Sequence, residues 1–294
     1  MYIEHVPKIT KGDKLIIGLG DSFTQGVGAY TDETWKKHNG KIEVFTNEQD
    51  LVAEQYEGSW VNQLCQTHFK GWIPVNMGHA GVGNRAAVKQ LYINTRVDIE
   101  KASEVIVVLL LSGMERFDFF RKDYDNKNHH SFQAMWPNPQ DPGATHAELW
   151  KAYREELYSE KFIAYEVILN ILEAQTFCQA HGYKFVFGSA FDLRANRHWL
   201  LKNLCGLLTA LEPTNKKLID KIDWKNYIYP KGCDSFLQHL LKLEGKEHLS
   251  SGGWWTHYTN LDAPTEYITN CAHPTRKGHT VISNIIAEFI KDTK

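Results

Sequence analysis

No apolar run in this sequence approaches the length that spans a bilayer, and Met1 to Lys14 lacks the positively charged start and apolar middle of a secretory leader. A soluble protein kept in the cytoplasm is expected, with attachment to a virion as the alternative location. A dominant charge is missing too. The 35 acidic and 33 basic side chains nearly cancel, so no broad positive field is available to hold a phosphate backbone or an anionic membrane. Nucleic acid and membrane are therefore set aside as partners. Cysteine is sparse. Cys65, Cys178, Cys205, Cys233 and Cys271 are odd in number, widely spaced and without a C-x-x-C pair, which argues against zinc and redox patterns and for reduced structural thiols. His129, His130 and His146 fall in a polar stretch with no carboxylate at regular spacing, so no metal is expected there. Internal repeats and low-complexity tracts are absent.

Aromatic residues are plentiful, with 9 Trp in 294 residues, which fits a thick core and an aromatic-lined groove. The length exceeds that of a usual single domain, yet one α/β domain over 1–294 absorbs it if long loops are inserted near 121–146 and 192–262. Loops of that size in a compact domain are candidates for a lid or a substrate wall.

"KLIIGLG" and "SEVIVVLLLSG" (Ser103 to Gly113) are short, continuous, β-branched runs ended by glycine, the pattern of strands covered on both faces of a parallel sheet. "GWIPVNMG" and "YKFVFGSA" are shorter versions, which makes four expected strands. Helical spacing lies between them. Trp60, Val61, Leu64, Cys65 and Phe69 recur at helical intervals, Asn84 is placed to cap the next helix, and Glu156 to Gly182 is the strongest helical segment, with His181-Gly182 as its stop. Alternating strands and helices imply right-handed crossovers and a doubly wound parallel sheet.

In such a sheet ligands sit beyond the carboxyl ends of the strands, and Ser22 lies just past the first one. Gly20 permits a tight turn there, and a serine lifted off a strand end is placed as a nucleophile with its own N–H free for an oxyanion. It still needs a base. The competing reading, nucleotide binding, fits poorly. "GLGDSF" has Phe23 where the dinucleotide fingerprint needs a third glycine, Asp21 would repel a pyrophosphate, and no GxxxxGK[ST] occurs.

"GLGDSFTQG", "NMGHAGVGN" and "NCAHPTRKGH" resemble, in that order, three blocks of the SGNH hydrolases, the GDSL-type esterases and lipases. The first supplies the GDS tripeptide. The second gives Asn76, Gly78 and Gly81 as N-x-G-x-x-G with Asn84 after it, and the third gives His273, Pro274 and Gly278 before a terminal amphipathic helix. The resemblance implies a three-layer α/β/α sandwich with a flavodoxin-like parallel sheet and no cofactor. It also implies that Ser22 is the nucleophile, that His273 is its base, and that the Ser22 and Gly81 N–H groups face the oxyanion. Trp60 and Leu64 resemble the helix after the first block in some bacterial and phage members.

Two positions depart from the family. Asn270 stands where an aspartate orients the histidine, and an acid-to-amide change costs a serine protease triad about four orders of magnitude in turnover. Asn270 itself, Asp262 and a backbone carbonyl are the candidate orienting groups. Glu115 stands where an asparagine donates to the oxyanion. Asn84, Ser112 and Arg116 are the candidate substitutes, Ser112 with Arg116 being preferred because phage-type relatives carry Thr or Ser followed by Arg in this segment. Asp21, Arg116, Trp254 and Trp255 are candidates to contact substrate. "WWTHY" is read either as a sugar-stacking wall or as core. His79 and His279 are read as support or surface groups. The expected activity is hydrolysis of a small ester through an acyl-enzyme, with O-acetylated carbohydrate ahead of short acyl esters as substrate class. The alternative is a degenerate member that only binds, to glycan or within a viral or surface assembly; Asn270 and Glu115 favour it, Ser22 and His273 oppose it.

Overall fold

The computed structural model describes residues 7–38, 48–93, 98–114, 116–120, 132–135, 147–191, 197–198, 200, 212–246, 265–270 and 272–293. The expected apolar runs form strands β1 (Lys14–Leu19), β2 (Ile73–Asn76) and β3 (Glu104–Leu111), followed by β4 (Phe117–Phe120), β5 (Phe132–Met135) and β6 (Lys184–Ser189). Four of them make a wholly parallel sheet in the order β2-β1-β3-β6. Leu15 of β1 lies level with Ile73 on one side and Val105 on the other. Tyr227 adds a parallel bridge to Phe187 at the β6 edge.

Helices α1 (Ser22–Gln25), α2 (Asp32–Lys37), α3 (Gln49–Gly58) and α4 (Trp60–Thr67) fill the crossover from β1 to β2, and α5 (Asn84–Ile93) returns the chain to β3. After these come α6 (Ala147–Ala152), α7 (Glu160–Ala180), α8 (Glu212–Lys221), α9 (Phe236–Leu243) and α10 (Arg276–Asp292). The chain runs from β1 outward to β2 and then back across β1 to β3. With right-handed crossovers that reversal puts the connecting helices on opposite faces.

The two faces are read off the period-two alternation of the strands. Leu15, Ile17, Val107 and Leu109 pack with Val88 of α5 and with Ile168 and Ile171 of α7. Ile16, Ile106, Val108 and Leu110 point the other way, onto Trp60 and Leu64 of α4, Leu237 and Leu240 of α9, and Ile282 and Ile286 of α10. The result is a three-layer α/β/α sandwich. Each such fully buried aliphatic side chain contributes about 1.5–3 kcal/mol relative to exposure. Among the described residues no helix is long and apolar enough to cross a membrane.

The structure amends three local expectations. The segment 121–146 is not all loop, because Phe132–Met135 pairs antiparallel with Phe117–Phe120; a four-residue strand is too short to announce itself within a polar stretch. The long helix begins at Glu160, not Glu156, since the Ser159 hydroxyl accepts from the Phe162 N–H at 3.2 Å and fixes the start. Within 192–262, α9 is a core helix whose Leu237, Leu240 and Leu241 are fully buried.

Gly18 on β1 is where α4 comes closest. A Cβ there would collide with Val61 Cγ2 and lie 3.2 Å from both Thr24 Cγ2 and the Trp60 ring. Gly18→Val is expected to destabilise the protein by about 1–3 kcal/mol through overpacking. A urea midpoint that falls with its slope unchanged is the expected result, and an unmoved midpoint would mean that Val61 yields without cost.

Candidate active site

β1 stops at Leu19 and the chain turns at Gly20, whose φ of +152° and whose closeness to the Leu110 carbonyl, 2.7 Å from a would-be Cβ, leave room for no side chain. Asp21 caps the short α1, accepting the Phe23 N–H at 3.1 Å. Ser22 follows as the first helical residue, in the crevice between the β1 and β3 ends where the strand order reverses. Its Oγ lies 2.9 Å from His273 Nε2, across 251 residues of sequence, and both side chains are almost wholly buried.

The imidazole arrives on a tight turn before α10. The Thr269 N–H donates to the His273 carbonyl at 2.8 Å, the His273 N–H to Thr269 Oγ1 at 3.1 Å, and the Ala272 N–H to the Thr269 carbonyl at 3.0 Å. These bonds hold Ala272 at φ +62°, a left-handed conformation that costs a non-glycine residue about 1 kcal/mol or more. On the nucleophile's side, Gly28 at φ +91° faces this turn, where a Cβ would sit 2.6 Å from the Pro274 carbonyl. The missing side chain lets the two segments touch. Phe23 packs beside the imidazole, ring centroids 5.8 Å apart.

The loop after β2 is tied to the same turn. Asn76 Nδ2 donates to the Thr24 carbonyl at 2.8 Å while its Oδ1 accepts the Gly78 N–H at 2.9 Å, and Gln25 Oε1 accepts the Ala80 N–H at 2.6 Å. Gly81 then turns at φ +83° beside open space. Neither its N–H nor that of Ser22 meets an acceptor among the described residues. Two free backbone donors flank the serine and histidine, the arrangement that stabilises a developing oxyanion.

Other expected site residues take different parts. Asp21 is fully buried, with Oδ1 on the Phe23 N–H and Oδ2 on Arg116 Nη1 at 2.7 Å, and so does not face a substrate. Burial pushes its carboxyl above the ordinary value, opposed by the Arg116 guanidinium and the Phe23 N–H. Arg116 is likewise enclosed; Nη1 also donates to the Val82 carbonyl at 2.9 Å and Cζ lies 5.2 Å over the Phe191 ring. It links parts of the protein instead of meeting a ligand. Ser112 donates its hydroxyl to the Val82 carbonyl at 3.3 Å and its N–H to Asn84 Oδ1 at 2.7 Å, so its hydroxyl is no oxyanion donor. Asn84 Nδ2 makes only a long 3.4 Å contact to the Ser112 carbonyl. Asn84 is the first residue of α5 and not its cap. Asn270 is exposed in the turn and makes no hydrogen bond to His273, because the left-handed step at Ala272 carries the chain away from it. Glu115, Trp254, Trp255 and Asp262 lie outside the described residues.

The sequence reading overlooked Asp118. This buried carboxylate in β4 accepts the Gly83 N–H on Oδ1 at 2.7 Å and the Ala86 N–H on Oδ2 at 2.8 Å, capping α5 from a distance. Burial dominates and pushes its pKa up to about 6, against those N–H groups, Arg116 and Arg85. An acid inside the apolar run "FDFF" was the available signal, since a buried charge requires partners. Among the described residues no three His, Cys, Asp or Glu side chains converge as metal ligands.

No family model and no curated protein matches the chain. The crystal structure of the lipase Lip_vut3 from a goat rumen metagenome is similar over 94% of this chain and 97% of that one, at 11% identity and a TM-score of 0.40. A second solved structure covers 96% of this chain and 98% of its own, at 9% identity and a TM-score of 0.41. Likeness at this level says nothing of chemistry.

His279, two turns after His273, is fully buried with neither ring nitrogen hydrogen-bonded. Burial pushes its pKa down to about 3, opposed by the Val27 carbonyl and reinforced by His273 and Arg276. An unfolded histidine takes a proton near pH 6.5, whereas this one refuses it until about pH 3, so its contribution turns against folding as pH falls through that window. Thermal melts should show His279→Leu losing less Tm than the parent between pH 7 and about 4.5. Equal losses would remove His279 from the acid response.

Proposed function

We propose that this chain is a serine ester hydrolase of the SGNH type, cleaving a small ester through an acyl-enzyme on Ser22. The observation that carries this reading is the 2.9 Å approach of Ser22 Oγ to His273 Nε2 beside two unengaged backbone N–H groups. His273 takes the hydroxyl proton as Oγ bonds to the ester carbonyl carbon. The carbonyl electrons move onto oxygen, where the Ser22 and Gly81 N–H groups receive the charge. Collapse expels the alcohol, which leaves with the proton that His273 carried. Water, deprotonated by the same nitrogen, then attacks the acyl-serine, and the acid departs as Oγ regains its proton.

O-acetylated carbohydrate is the preferred substrate class, ahead of other short acyl esters. The charges of Asp21 and Arg116 are committed to each other, which suits a neutral ester. The second reading, a fold that binds without turnover, is separated by reactivity alone.

Purified protein should hydrolyse p-nitrophenyl acetate and become labelled by a fluorophosphonate. Ser22→Ala should abolish labelling, and Ser22→Ala and His273→Ala should each lower kcat by about a thousandfold or more. Asn270→Ala should stay within about twofold of the parent, as suits an exposed side chain away from the imidazole. Labelling that persists in Ser22→Ala would move the nucleophile elsewhere. An unlabelled parent would favour the binding-only reading.

A further inference from the structure

The peptide joining Val82 to Gly83 is gripped at both ends by residues that follow β3. Its carbonyl accepts Arg116 Nη1 at 2.9 Å and Ser112 Oγ at 3.3 Å, while its N–H donates to Asp118 Oδ1 at 2.7 Å. Asp118 Oδ2 meanwhile holds the Ala86 N–H at 2.8 Å. Gly83 makes room for this grip, since a Cβ there would stand 2.7 Å from Asp118 Oδ2 and 3.0 Å from the Arg116 carbonyl. The same Arg116 Nη1 reaches Asp21, the residue before Ser22, at 2.7 Å. One short segment, 116–118, therefore holds the two stretches of chain that carry the unengaged N–H groups of Ser22 and Gly81.

We propose that Asp118 and Arg116 are positioning residues that fix the separation of the Ser22 and Gly81 N–H groups, so that Asp118 controls oxyanion stabilisation without touching substrate. The inference rests on the esterase reading above. The loop after β2 carries Gly78, Gly81 and Gly83, and a stretch with so little side-chain restraint does not hold a donor in place by itself. A carboxylate supplies two acceptor oxygens, and charge-assisted bonds to N–H groups are about twice as strong as neutral ones. An amide in its place would turn an NH2 toward one of the two N–H groups. The peptide could then rotate and carry Gly81 with it.

Asp118→Asn and Gly83→Ala perturb the grip from opposite sides, and each would be assayed well below its own Tm. Both should lower kcat for p-nitrophenyl acetate by about 10- to 100-fold, short of the full loss of an oxyanion donor, with KM within about twofold. A trifluoromethyl ketone, whose adduct presents an oxyanion, should weaken by the same factor as kcat. A merely structural role would lower the folded fraction and leave the kcat and ketone affinity of the folded protein unchanged. An active parent with both variants within twofold in kcat overturns this inference alone. A parent with neither turnover nor fluorophosphonate labelling overturns the esterase reading and the inference with it.

Discussion

The buried pair between Asp21 and Arg116 is the constraint around which the top of the sheet is organised. Ionic groups removed from water cost several kcal/mol each, and a pair persists only where geometry and further hydrogen bonds offset that penalty. Here the Phe23 N–H takes one carboxylate oxygen, the Val82 carbonyl shares the guanidinium, and the Phe191 ring covers its face. Deleting either partner would strand the other charge in the interior, at a cost of about 3–5 kcal/mol. The end of β1 and the start of β4 are consequently locked together across the crevice where the strand order reverses. Ser22, one residue after the carboxylate, inherits that rigidity.

Much of this was visible in the sequence because apolar patterning is a local signal. The runs around Ile16, Val75, Val107 and Val186 were legible as strands, since β-branched residues bounded by glycine have few other places to go. The segments with Ser22 and His273 were legible through motif order. Sequence spacing brings polar residues to the same strand ends but says nothing about which of them satisfy one another. Asp21, Arg116, Asn84 and Ser112 were all read as facing a ligand, and the structure shows three of these groups saturating each other or nearby backbone, with only the Asn84 amide left partly unengaged. Asp118 escaped notice for the complementary reason: its partners are backbone N–H groups more than thirty residues away, which no pattern encodes.

The same lesson applies around the histidine. Counting three residues back from His273 gives Asn270, but counting assumes regular backbone. The left-handed step at Ala272 breaks that assumption and exposes the amide. Two close approaches also depend on residues valued for what they omit. Gly28 lets the histidine turn lie against the serine segment, and Gly83 lets a carboxylate reach the backbone.

The serine sits on the first strand's turn and the imidazole on the turn that leads into α10, a helix anchored to α4 through Gln63 with Thr280 and His68 with Asn284. In biosynthesis the hydroxyl thus emerges early and its partner almost last. A nascent chain, or one whose final helix has come undone, carries an unactivated alcohol and no reactive centre. Competence arises only at the closing step of folding, so a misassembled copy is chemically silent toward the esters around it.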